Sequence, residues 1–181
     1  MHITYANNLK DLEGILQLQH ANHKDNLPDT QAREDGFVTL KHDLDLLKKM
    51  QAITPQIIAK EEDQVVGYAL TLPPILEKRI PILAPLFQVF DNIDYQGKPI
   101  SAHNYYIMGQ ICIDRNYRGQ GIFQALYAAH KSFLKDQFDL CVTEISVNNP
   151  RSMRAHAKVG FQEVCRFEDE TDHWSVVVLE L

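Results

Sequence analysis

Asp114 to His130 reads DRNYRGQGIFQALYAAH. Two glycines, Gly119 and Gly121, stand one residue apart at the mouth of an amphipathic run, with Arg118 directly before them. An apolar strand, YYIMGQICID (105–114), leads in, and a helix, FQALYAAHKSFLKDQ (123–137), leads out. A strand that turns through glycines into a helix gathers backbone N–H groups and adds the positive end of the helix dipole. Such a place favours an anion. Glycine reaches φ > 0 without strain and lets a phosphate approach the main chain. The spacing is neither that of a Walker loop, G-x-x-x-x-G-K-[ST], nor that of the dinucleotide fingerprint, because G-Q-G lacks the third glycine.

The surrounding charge agrees with a small anionic ligand. Net charge is −6, which argues against a broad nucleic-acid surface. Residues 111–160 nevertheless carry seven Lys/Arg against four Asp/Glu, a local +3, whereas residues 161–181 carry one against six. At 181 residues, 45% hydrophobic and 23% charged, the chain reads as one domain spanning 1–181 with a proper core. Cys112, Cys141 and Cys165 have no metal spacing and read as reduced thiols. The N-terminus MHITYANNLKD shows no apolar signal region, and IPILAPLFQVF (80–90) is short and broken by prolines. A cytoplasmic protein without a membrane span is the expectation.

Elsewhere the pattern predicts a strand at 2–6 and a helix capped by Asn7 or Asn8, with Leu9, Leu12, Ile15 and Leu16 on its apolar face. A second helix is expected over TLKHDLDLLKKMQA (39–52), with Leu40, Leu44, Leu47 and Met50 inward. PQIIAKEEDQVVGYALTLPP reads as a hairpin, Ala84–Phe90 as a short helix and LCVTEISV as a strand. PRSMRAHAKVG reads as a helix opened by proline and closed by glycine, and FQEVCRFE and HWSVVVLEL as two last strands. The order is that of a mixed α/β fold with a crossover helix between 105–114 and 140–147.

NNPRSMRAHAKVGF, Asn148 to Phe161, follows about thirty residues after the glycines. Together the two segments resemble the GNAT superfamily of N-acetyltransferases, which bind acetyl-coenzyme A. The family's R-x-x-G-x-G/A motif is matched by Arg118, Gly119, Gln120, Gly121 and Ile122, with Phe123 in the final small-residue slot. Its N-x-x-(A/S)-x-x-x-Y-x-x-x-G-F pattern is matched by Asn149, Ser152, Gly160 and Phe161, with His156 in place of tyrosine. The resemblance implies a largely antiparallel sheet, flanked by helices, whose fourth and fifth strands run parallel and splay apart at a bulge near Gly109.

It also implies site residues. Backbone amides of Arg118, Gly119, Gln120, Gly121, Ile122, Phe123 and Gln124 would hold the coenzyme A pyrophosphate. The main chain of Ile111, Cys112 and Ile113 would pair with the pantetheine arm, joined by Asn149 and Ser152. His156, with an ordinary pKa near 6.5, would protonate the leaving thiolate. Residues 19–40 and 79–104 would line the acceptor pocket. The implied reaction is direct acetyl transfer to a primary amine of a small molecule, amino acid or peptide, by a monomer or homodimer, without nucleic acid, membrane or metal. His20 and His23 lack a third ligand and read as a solvated helix face. The general base is open: YYIMGQICI has no carboxylate, which leaves Tyr105, His103 or water. A non-catalytic acyl-CoA-binding module and a nucleotide- or phosphate-binding protein are the other readings these residues permit.

Overall fold

A computed structural model describes residues 1–28, 30 and 37–181. A seven-stranded sheet runs in the order β1-β2-β3-β6-β7-β9-β8. Its strands are β1 His2–Tyr5, β2 Ile57–Glu61, β3 Gln64–Leu72, β6 Tyr105–Ile113, β7 Leu140–Ser146, β8 Gln162–Glu168 and β9 His173–Glu180. β6 and β7 pair in parallel, and β1/β2, β2/β3, β7/β9 and β8/β9 pair antiparallel. The parallel ladder covers Tyr105↔Leu140 to Ile107↔Val142, while β6 runs on to Ile113. The main chain thus leaves the ladder just before Gly109. The chain divides into two compact units, Met1–Thr71 with Met108–Phe133, and Leu72–Ile107 with Leu134–Leu181.

In the first unit, helix α1 (Leu9–Asn22) starts at Asn8, whose Oδ1 accepts from the Asp11 N–H at 2.9 Å. Asp11 answers by accepting from the Asn7 N–H at 3.1 Å, so two orphan donors at the helix start are satisfied reciprocally. The other Asp11 oxygen takes the Lys60 ammonium at 2.7 Å in a nearly dry ion pair. The face turned inward is Asp11, Leu12, Ile15, Leu18 and Gln19. Leu9, expected inside, is 50% exposed at the first position of the helix. Helix α2 (Leu44–Ile53) starts five residues later than expected. Asp43 caps it, accepting from the Leu46 N–H at 2.7 Å, and its extended backbone (φ −111°, ψ 173°) stops the helix from reaching back to Thr39. Leu40 consequently lies in a connecting strap, and Leu46, Leu47 and Met50 form the buried face.

In the second unit, helix α3 (Ala84–Phe90) packs Phe90 edge-on to Tyr105 at 5.3 Å. A tight hairpin of β4 (Asp94–Tyr95) and β5 (Lys98–Pro99) follows, anchored by Tyr95 Oη donating to Glu180 at 2.8 Å. Helix α4 (Ile122–Leu134) begins in the first unit, and helix α5 (Pro150–Lys158) follows β7 in the second. Among the described residues no helix is long and apolar enough to cross a membrane.

Candidate active site

The glycine loop is built from the end of β6. Asp114 donates its N–H to the Val66 carbonyl at 2.8 Å, and its Oδ1 accepts from the Asn116 N–H at 2.9 Å. A single turn, Arg115–Tyr117, then delivers Gly119 and Gly121 at φ +76° and +78°. A Cβ on either would meet nothing within 4 Å, so backbone conformation, not crowding, demands glycine, and the space over both is open. The first hydrogen bond inside α4 runs from the Ala125 N–H to the Gly121 carbonyl at 3.0 Å. The N–H groups of Ile122, Phe123 and Gln124 therefore have no acceptor within their own helix. Open space, two left-handed turns and a helix N-terminus make one anion cradle. Phe123 leaves it intact: its ring lies along the helix against Tyr127 at 5.1 Å.

The Arg118 guanidinium braces this loop. Nε donates to the Ile113 carbonyl at 3.1 Å, and Nη2 donates to Asn22 Oδ1 at 3.0 Å. Asn22 is the last residue of α1, where its Nδ2 also donates to the Leu18 carbonyl at 2.9 Å. Nothing in the sequence around Asn22 signals this role, since an asparagine ending a helix is ordinary.

Within the first unit, Met108–Ile113 is the outermost strand. Strand alternation divides its main-chain groups. Asp114 donates to β3, and the Cys112 carbonyl stands 3.4 Å from where a Cβ on Gly67 of β3 would sit. The N–H and C=O groups of Ile111 and Ile113 therefore point to the opposite edge. The expectation that Cys112 offers main-chain groups there is corrected, since its own face β3. Burial also pushes its thiol up to about 12.

A strand edge that ends in a glycine cradle at a helix start is a recognisable pair, and the sequence confirms it. A model of the Acetyltransferase (GNAT) family matches residues 17–161. The chain belongs to this family. Its fold is that of the ribosomal-protein-alanine N-acetyltransferase of Brucella melitensis, with 20% identity, a TM-score of 0.62 and 100% of both chains covered. It is equally like Ard1 from Thermoplasma volcanium, with 13% identity, a TM-score of 0.63 and coverage of 99% and 97%. The Escherichia coli ribosomal-protein-S18-alanine N-acetyltransferase is 11% identical, with a TM-score of 0.56 and coverage of 99% and 92%. No curated protein matches by sequence.

Of the GNAT motif residues of the second unit, Ser152 and His156 lie on α5, with Asn149 at its start and Gly160 and Phe161 just past its end. Asn149 is its N-cap, with Oδ1 accepting from the Ser152 N–H at 3.1 Å. Among the described residues its Nδ2 makes no hydrogen bond. His156 lies inward against Phe161 at 5.1 Å, 3% exposed. Burial lowers its pKa to about 4, opposed by the Ser152 carbonyl. The expectation of a partly protonated imidazole is therefore corrected. Nδ1 lies 2.8 Å from the Ser152 carbonyl, which can only accept, so Nδ1 carries the proton and Nε2 is the acceptor side of a neutral ring.

The two side chains suggested as a base fare differently from expectation too. Burial, with Glu77 and Asp91 nearby, pushes the Tyr105 phenol up to about 12, so it stays protonated. His103 points Nε2 at the Tyr95 carbonyl, 2.8 Å away, and serves the hairpin. His23 is also locally engaged, with Nε2 2.9 Å from the Thr39 carbonyl and Nδ1 accepting from the Asp25 N–H. No group of three or more His, Cys, Asp or Glu among the described residues could hold a metal. Part of the acceptor lining expected over 19–40, residues 29 and 31–36, lies outside the described residues. β7 carries a carboxyl group where β6 has none. Glu144 Oε2 is sealed from solvent with no hydrogen-bond partner among the described residues, and burial, helped by Asp169, raises its pKa to about 8.

Proposed function

We propose that this acetyltransferase moves the acetyl group of acetyl-CoA directly to a primary amine of a small molecule, amino acid or peptide. The observation that carries the reading is the cradle: open space over Gly119 and Gly121, at φ +76° and +78°, beside the first N–H groups of α4. These residues fit the diphosphate of coenzyme A, with backbone N–H groups from Arg118 to Gln124 as its donors. Ile111 and Ile113 offer edge groups to the amides of the pantetheine arm, in the manner of an added strand. Asn149 and Ser152 are assigned to coenzyme A on the family motif they carry. Bound there, acetyl-CoA supplies an activated thioester. The chain holds it in line, and the Ile111 N–H stabilises the charge that builds on the carbonyl oxygen. With His156 neutral, solvent protonates the thiolate, whose ordinary pKa is about 8.5.

The test is calorimetry with acetyl-CoA followed by thiol release across an amine panel. Peptides with N-terminal alanine come first, because two proteins of this fold are named for acetylating ribosomal-protein alanine. Acetyl-CoA binding with thiol release on an amine is expected. ATP binding without acetyl-CoA binding, or acetyl-CoA binding without release on any acceptor, overturns the reading. The bracing of the loop gives a finer expectation. Asn22→Ala leaves the Arg118 guanidinium without one acceptor, and a hydrogen bond to a charged group contributes about 1.5 kcal/mol, so the KM for acetyl-CoA rises roughly tenfold with kcat little changed. An unchanged KM would show that the brace is idle.

A further inference from the structure

The strap between α1 and α2 carries a histidine whose ring is held in one tautomer. Gln19 of α1 donates Nε2–H to the His42 carbonyl at 3.1 Å and accepts the His42 backbone N–H on Oε1 at 3.0 Å. The His42 backbone thereby fixes which end of the carboxamide is which. That same Oε1 lies 2.9 Å from His42 Nδ1. A carboxamide oxygen only accepts, so Nδ1 carries the proton and Nε2 presents a lone pair. Nε2 is buried and has no hydrogen-bond partner among the described residues, and the residue is 5% exposed. A buried acceptor left without a donor is destabilising, and the Gln19 clamp keeps it so.

The strap is also pinned to β6. Gln110 takes the Tyr68 hydroxyl on Oε1 at 2.5 Å and donates Nε2–H to the Leu40 carbonyl at 2.7 Å. Leu40 is two residues before His42, and Gln110 is next to Ile111, whose edge groups are assigned to the thioester arm. We propose that His42 is the general base of acetyl transfer, its Nε2 taking the proton that the attacking amine must lose. This rests on the acetyltransferase reading above. The amine nitrogen forms the C–N bond to the acetyl carbonyl carbon, and the C–S pair leaves with the sulfur as thiolate. The docked ammonium first gives one proton to Nε2, from which it passes to solvent as product departs. The second proton, lost from nitrogen once the C–N bond has formed, neutralises the thiolate by way of solvent.

Burial lowers the His42 pKa to about 4, opposed by Asp43, the charged group that faces it, while Gln19 is neutral. The ring is thus a neutral acceptor across the neutral range. The same dry surroundings lower the pKa of an ammonium that docks there, which narrows the gap between donor and acceptor.

The decisive measurement is kcat/KM for the amine against pH in the wild type and in His42→Gln, with acetyl-CoA affinity by calorimetry. Wild type is expected to be flat from about pH 5.5 to 9, since the base is already neutral and the free amine titrates near 10.4. His42→Gln should fall about 100-fold at pH 7 and climb about tenfold per pH unit, because only pre-formed free amine then reacts, with acetyl-CoA affinity within about twofold. His42→Ala should recover rate on adding imidazole. A flat profile in His42→Gln, at whatever height, overturns the base, as does a folded His42→Ala that imidazole fails to rescue. Wild-type binding of acetyl-CoA with no thiol release on any amine instead overturns the acetyltransferase reading, and the base with it.

Discussion

Stability is expected to peak near pH 6.5 and to fall on both sides, for two separate buried reasons. His42, His130 and His156 are each buried, and burial is the main cause that lowers each pKa from 6.5 to about 4. Between pH 6.5 and 4 the unfolded chain binds these protons and the folded chain does not. Their stabilisation is whole above 6.5 and lost as the pH falls. Glu144 works in the opposite sense: its folded pKa is raised from 4.5 to about 8, so its contribution is whole below 4.5 and lost as pH rises through 8. Each group contributes about 1.4 kcal/mol per pH unit across its window. Three histidines against one glutamate give a net loss of roughly 4 kcal/mol from pH 6.5 to 5, and Glu144 alone removes about 2 kcal/mol from 6.5 to 8. Urea midpoints across pH 4.5–9 measure this. His130→Gln, which takes away one titration at the Ala69 carbonyl contact of 3.0 Å, should shallow the acid limb by about half, since one of the net two titrations goes. Glu144→Gln should flatten the alkaline limb and leave the acid one steeper. An acid limb with no slope between 6.5 and 5 would sink the argument for the histidines.

Most of this architecture is legible in the sequence because local signals and global fold agree. The glycines of the loop, the Pro150 start and Gly160 end of α5, and the alternating strands each state their own conformation, and each is found where the pattern places it. Helix α2 is the instructive miss. Leu40 and Leu44 satisfy a helical period with Leu47, yet Asp43 offers a side-chain oxygen to the Leu46 N–H and wins the boundary. Periodicity reports which residues prefer the interior, whereas capping decides where the helix can begin. The family was readable because two short segments carry it. The ionisation of the site was not, because burial sets it. His156 looks like any histidine in the sequence, and only its 3% exposure turns it neutral. Asn22, Gln19 and Glu144 escaped for a related reason: each acts on partners between 20 and nearly 100 positions away in the chain, and no local spacing encodes such a pairing.

Gly121→Val should weaken acetyl-CoA binding by about 100- to 1,000-fold while leaving the fold largely in place. Two effects add. A branched side chain at φ +78° pays about 1–2 kcal/mol of backbone strain, or moves the turn and misaims the N–H groups behind it. Its atoms also enter the open space over the loop, where the diphosphate is proposed to sit, and each lost charge-assisted hydrogen bond costs a further 1.5–3 kcal/mol. Gly160 separates ligand loss from strain. It too is left-handed, at φ +104°, but a Cβ there would stand 3.3 Å from Leu179 Cδ1, inside the protein's own packing. Gly160→Ala should therefore lower the Tm by several degrees with coenzyme A affinity unchanged, whereas Gly121→Val shifts the affinity far more than the Tm. Calorimetric Kd values and melting curves on the two variants distinguish these outcomes. If Gly121→Val binds acetyl-CoA as the wild type does, the open space over the loop is not where the diphosphate goes, and the cradle has been assigned to the wrong ligand.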